Sequence, residues 1–255
     1  MRRLGRTATL AAAFILAAAP VAAQKAPPPD YPTKPIRMIV PFAPGGGTDI
    51  IGRLVAQELG QAWGQTVVVD NRGGGGGTIG ANLAARATPD GYTMVLCSLG
   101  ISYAPALYAK LPFDPVKDFA PISLVATQPF VYVVVPSLGV SSMKDLIALA
   151  KAKPGQLRYG SGGAGGSSHL GTELLRTMTG TDIVHVPYKG TGPALTAMLS
   201  GEIQMQLIGI SSVVPHMKSG RMRALAVSGA KRSTAAPDVP TVAESGVPGY
   251  VFDVW

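Results

Sequence analysis

The sequence predicts an α/β fold in two lobes, each a mainly parallel sheet flanked by helices. Three observations predict it. Short runs of Val, Ile, Leu and Met alternate with helical stretches, and near-continuous apolar runs are how buried parallel strands read. The plan of strand, glycine turn and helix occurs near residue 40 and again near residue 160. Between them lies PFVYVVVP, residues 129–136, a β-rich run without a helix partner that reads as the crossing between lobes.

Taken in order, the chain starts with the basic stretch MRRLGR. The apolar run TATLAAAFILAAAP follows, shorter than the ~20 residues a membrane span needs. VAAQ then offers small residues for cleavage after Ala23, so residues 1–23 read as a secretory signal peptide and export to the periplasm is expected. Residues 24–35 form an extended leader, because proline fixes φ and removes backbone donors. Lobe one is expected over 36–131. Its strands are IRMIVPF, TVVVD and YTMVLCS, with SLVATQPFVYVVVP leading out. Ile51, Val55, Leu59 and Trp63 recur every four residues on one face of the first helix, and IGANLAARA is a second helix. Lobe two is expected over 132–251. Ser142 and Asp145 stand at capping-box spacing before LIALAKAK. LRYGS, DIVHVPY, QMQLIG and MRALAVSG are its further strands, and SSHLGTELLRTMTG and ALTAMLSGE its helices. Residues 252–255 are expected to return to lobe one, which then reads as incomplete at its C-terminal end.

Composition narrows the chemistry. A 47% hydrophobic and 14% charged chain is not disordered. The net charge of +8 is spread out, and its longest cluster, KSGRMR, has little aromatic interleaving, so no nucleic-acid partner is expected. A diffuse positive field would instead draw in a small anion. The single cysteine, Cys97, reads as a buried thiol. His169, His185 and His216 show no metal-ligand spacing. No GxSxG is present, and Ser161, Ser167 and Ser168 near His169 lack a third orienting group. His185 reads as a satisfied strand histidine. Asp114 and Asp118 read as solvated turn residues. No catalytic residue, metal or cofactor is expected.

The rival reading is an exported NAD(P)-dependent oxidoreductase. GxGxxG occurs from Gly75 and again from Gly160, but neither is followed by an acid at the end of the next strand, where a ribose partner belongs. The glycine turns can hold an anion directly, since helix N-termini offer free N–H groups and a favourable dipole. PGGGTD supplies the amides of Gly46 and Gly47 with the Thr48 hydroxyl, while Asp49 caps the helix or orders water. Thr78 serves the second turn. Ser161, Ser167, Ser168 and His169 serve the third.

The ordered series PIRMIVPFAPGGGTDIIGRLVAQELGQ, DNRGGGGGTIGANLAARATPDGYT, LPFDPVKDFAPIS, SGGAGGSSHLGTELL, HVPYKGTGPALTAMLSGEIQ and ALAVSGAKRSTAAPDVPTVAESGVPGY resembles the tripartite tricarboxylate transporter substrate-binding proteins, also called Bug-type extracytoplasmic solute receptors. The similarity runs from about Tyr31 to Trp255. It implies a type II periplasmic-binding-protein fold that closes over a small carboxylate and delivers it, as a monomer, to membrane permease subunits or a sensor. It implies ligand contacts at Phe42, Gly46, Thr48, Asp49 and Ser98 in lobe one, and at Ser161, Gly163, Ser167, Ser168 and His169 in lobe two, with Tyr188 and Gly209 at the margin. Two departures are visible: Gln204 stands where relatives often place an acid, and the chain ends at DVW where relatives continue.

Overall fold

Strand β1 (Ile36–Val40) is apolar on both sides, and in the computed structural model, which describes residues 31–255, it is the centre of a parallel sheet ordered β2-β1-β3. The signal-peptide reading over 1–23 and most of the 24–35 leader lie outside the described residues. The neighbours of β1 are β2 (Val67–Asn71) and β3 (Thr93–Val95). Helix α1 (Gly47–Trp63) packs on β1 and β2, and Gly52 permits the approach: a Cβ there would stand 3.0 Å from Val40 Cγ2. Ala56, Val55 and Leu59 join Ile36, Met38 and Val67 in a small core. Trp63 is exposed because the helix ends there, turned by Gly64 at φ +63°. Helices α2 (Thr78–Ala85) and α3 (Gly100–Leu107) belong to the same lobe. The sequence reading missed α3, since Pro105 sits inside eight residues and hides the helical period.

The second sheet has the order β6-β5-β7-β4-β8, with β4 (Phe130–Val134), β5 (Arg158–Ser161), β6 (Val184–Pro187), β7 (Met205–Gly209) and β8 (Arg223–Val227). β5 is parallel to β6 and β7, while β4 opposes both β7 and β8. Every residue of β4 is buried. Phe130, Tyr132 and Val134 belong to one core with Met143 and Leu146 of α4 (Met143–Ala152) and Leu175 of α5 (Ser167–Thr179). Val131 and Val133 belong to another, with Ala194, Leu195 and Met198 of α6 (Thr191–Leu199). A strand with a core on each face reads as unbroken Val, Tyr and Phe, without alternation. Truncating one of these side chains, as in Leu146→Ala, removes roughly 2–5 kcal/mol. The short α7 (Val214–Lys218) precedes β8. Ser142 caps α4 by accepting from Asp145 N at 3.1 Å.

Two chain segments join the lobes. β4 lies wholly in the five-stranded sheet, so the change of sheet comes at Gln128 and Pro129, and a boundary between 131 and 132 falls inside a strand. SLVATQ, expected to be strand, has no strand beside it: Leu124 and Val125 are exposed, and only Gln128 bridges, to Val254. The return over 252–255 passes from Ser228, which accepts from Phe252 N, to Leu99, whose N–H donates to Trp255 O at 3.1 Å. The crossings lie side by side, Gln128 N donating to Val254 O at 2.9 Å. Pro32–Trp255 forms one compact unit.

Candidate functional site

Of the helices that begin where the lobes meet, four have glycine at the N-cap: Gly46 for α1, Gly77 for α2, Gly166 for α5 and Gly190 for α6. None of these caps makes a side-chain hydrogen bond, unlike the Ser142 cap of α4. A glycine cap leaves first-turn N–H groups without an intrahelical partner, at the positive end of the helix dipole. Phe42 lies between the second and third glycine turns. Its ring would stand 3.2 Å from a Cβ on Gly77 and 3.6 Å from one on Gly162. Gly46 lies against Thr191, the first residue of α6, and Gly76 against the Ala164 carbonyl and Gly166 N of the opposite lobe. Ser167, the first residue of α5, is 7% exposed, and its buried hydroxyl has no partner. Such an orphan costs about 1–3 kcal/mol unless something fills it.

In lobe one, Asp49 is fully engaged. Its carboxylate accepts from Gly45 N at 3.0 Å, Asn71 Nδ2 at 2.9 Å and Arg53 Nε at 3.1 Å. Burial would push its acid up, but the bonds from Arg53, Gly45 and Asn71 outweigh this and hold it below the usual carboxylate range. Asn71 also donates to Phe42 O at 3.0 Å. Asp49 therefore shapes the 42–46 loop, with both carboxylate oxygens engaged by protein donors. Thr48 is half-buried in the first turn of α1. Thr78 donates its hydroxyl to Gly75 O at 2.8 Å. Thr78 and Ser98 share a small hollow with Phe42, Gly76 and Gly77.

In lobe two, the loop after β5 is held from beneath by imidazoles. Ser161 Oγ lies 2.6 Å from His185 Nε2 and accepts from Gly163 N at 3.1 Å. His169 Nδ1 accepts from Gly165 N at 3.2 Å, which requires that nitrogen to be unprotonated. The two rings lie 4.3 Å apart, and Tyr159 stacks on His185 at 4.9 Å. Burial lowers His185 to about 4, helped by His169, and burial lowers His169 against the pull of Glu173. Gly163, at φ +118°, adopts a conformation that side chains resist. Ser168 is buried and its carbonyl accepts from Thr172.

The structure thus gathers Phe42, Gly46, Thr48, Thr78, Ser98, Ser161, Gly163, Ser167, Ser168 and His169 around the interlobe loops. Two expected residues sit at the margin. The Tyr188 ring packs against the α6-side core, and Gly209 abuts the Gln128 amide at the crossing, 2.8 Å from where its Cβ would be. Gln204 is occupied at the start of β5, its amide oxygen accepting from Arg158 N at 3.0 Å as a carboxylate would. Asn71, His185 and Tyr108 act on these loops without a local signal in the sequence, because each works through a partner at least 22 residues away, whereas Arg53 pairs with Asp49 four residues before it at a spacing the sequence shows. Gly75–Gly77, the start of the dinucleotide-like motif, is a tight turn packed on the backbone of the other lobe.

A two-lobed α/β protein with glycine-capped helix starts and a buried, unpartnered hydroxyl at the seam between its lobes is the class of protein that this fold and site define. Residues 51–255 match the family described as "Tripartite tricarboxylate transporter family receptor", TctC. Protein BugT of Bordetella pertussis is 42% identical over 240 residues, which are 93% of this chain and 72% of that protein. Among solved structures, the periplasmic binding protein BugD is 36% identical with a TM-score of 0.86, covering 88% of this chain and 75% of that one. An R. palustris protein solved with adipate is 40% identical with a TM-score of 0.85, covering 89% and 76%. A second Rhodopseudomonas palustris protein, MatC with bound malate, is 32% identical with a TM-score of 0.84, covering 88% and 77%. The chain belongs to the tripartite tricarboxylate transporter receptor family, of Bug type, and has its two-lobed periplasmic-binding-protein fold. This family of receptors does not favour the dinucleotide reading.

Proposed function

We propose that this protein captures a small organic acid, a dicarboxylate or tricarboxylate, between its lobes and hands it to membrane permease subunits or to a sensor. The observation that carries the reading is the meeting of four glycine-capped helix starts with the orphan Ser167 hydroxyl. The adipate and malate held by two relatives support it. The amides following Gly46 and Gly166 grip a carboxylate, with Thr48, Ser98, Ser167 and Ser168 adding hydroxyls and Thr78 bracing the second turn. Ser161, Gly163 and His169 hold the lobe-two loop in shape, Asp49 does so in lobe one, Phe42 covers the acid's apolar body, and Tyr188 and Gly209 border the cleft. The crossings at Gln128 and Val254 act as the hinge. The receptor binds without turnover, works as a monomer without cofactor or nucleic acid, and is exported by residues 1–23.

The test is a thermal-melt screen of the chain from Gln24 against di- and tricarboxylates, aromatic acids, acidic amino acids and NAD(P). A ligand at a hundredfold excess over its Kd adds roughly 2.7 kcal/mol of stability. A shift with one carboxylate class is expected. A shift with NAD(P) alone overturns the reading.

A further inference from the structure

Tyr108 closes α3 in lobe one, and nothing in the sequence marks it for the cleft. Its hydroxyl lies 2.9 Å from Gly75 O in its own lobe and 3.1 Å from Ala164 O in the other. One phenolic proton serves two carbonyls, one from each lobe. The surroundings are close-packed glycines. A Cβ on Gly163 would stand 2.8 Å from Gly76 N, one on Gly100 would stand 3.2 Å from Gly165 O, and one on Gly165 would stand 2.9 Å from Leu107 Cδ1. Tyr108 is thus a side chain whose polar atom bonds across a seam rich in glycine. The lobes can meet this closely only when the 163–166 loop comes within reach of the phenol.

We propose that Tyr108 is an interlobe clasp: its hydroxyl ties Ala164 of lobe two to Gly75 of lobe one, and so biases the receptor toward closure before any ligand enters. The inference rests on the two-lobed capture mechanism above. It adds a residue that sets affinity without touching the bound acid. Apparent affinity scales with the fraction of receptor in the competent state, so the clasp tunes capture from outside the cradle.

The experiment measures the distance between the lobes in the ligand-free full chain. Spin labels on Gln57→Cys in α1 and Lys151→Cys in α4 report it, both positions being exposed. The native Cys97 is a poor competitor for label, because burial pushes its thiol up to about 12. Tyr108→Phe keeps the ring and removes only the hydroxyl. The expected result is a short-distance population in the parent protein that falls relative to the long-distance one by about fivefold in Tyr108→Phe, the factor one net hydrogen bond supplies. Tyr103→Phe, on the same helix and exposed, leaves the distribution unchanged. A parent protein wholly in the long-distance state overturns the proposal. So does a Tyr108→Phe distribution equal to the parent's, or an equal shift from Tyr103→Phe. Carboxylates that fail to shift the melt would sink the ligand reading and leave the clasp standing, so the two failures are distinguishable.

Discussion

Gly192 is the second residue of α6, where alanine ordinarily improves a helix by up to ~1 kcal/mol. Its φ lies outside the left-handed region, so no backbone strain opposes the change. What opposes it is the other lobe. A Cβ on Gly192 would overlap the Pro44 carbonyl oxygen and stand 3.1 Å from the backbone carbon of Gly45. Carbon and oxygen regain ordinary contact only if the lobes part there by roughly 1 Å. At that separation the interlobe bond from Ala43 N to Lys189 O, now 3.0 Å, passes beyond hydrogen-bond range. If the Tyr108 bond to Ala164 goes with it, the closed state loses about 2 kcal/mol, which is roughly a 30-fold rise in Kd. Gly192→Ala should therefore hold or raise the melting temperature of the free protein while weakening binding of its carboxylate. Calorimetric titration beside a melt reads both quantities. Affinity within twofold of the parent would refute the claim that this glycine serves closure.

Ser167→Ala removes the orphan hydroxyl; it should leave the free protein as stable or slightly more so, and weaken carboxylate binding by about 1 kcal/mol. Unchanged affinity in a titration takes Ser167 out of the cradle. Asp49→Ala should destabilise by roughly 2 kcal/mol, because Gly45, Asn71 and Arg53 lose a buried acceptor together, and should abolish binding through the 42–46 loop. Retained binding in that variant means the loop keeps its shape without the carboxylate. For His185, the unfolded ring takes up a proton near 6.5, while the native ring resists until about 4. Its contribution to stability is thus complete above 6.5 and is lost as pH falls from there through about 4. Melts across that window should show a slope that His185→Asn flattens; an unaltered slope assigns it to other groups.

The pattern of the chain carried β1, α1, α5 and β7 clearly, because β1 and β7 are short apolar runs and α1 and α5 each end at a glycine. The Ser142 cap and the glycine turns were likewise readable, since their chemistry is local. SLVATQ looked like strand, but β-propensity is realised only beside a partner strand, and there its sole bridge is at Gln128. Helix α3 was hidden by Pro105. Among site residues, the glycine caps and hydroxyls of the three loops stood out. Their supports did not: the Asn71 amide, the His185 ring and the Tyr108 phenol depend on contacts between distant segments. Asp49 was legible as an acid in the first turn of α1, whereas the three donors that saturate it could be counted only in the fold.

The glycine-capped helix starts have a consequence for the medium in which such a receptor works. The proposed cradle of fixed amide dipoles would act over a few ångströms, and short, buried interactions of that kind are screened far less than exposed ion pairs. Its grip on an acid is thereby largely uncoupled from ionic strength. A receptor facing fluid whose salinity follows the surroundings of the cell gains a capture step that varies little as those surroundings change, while the diffuse positive charge that guides anions inward remains the salt-sensitive part.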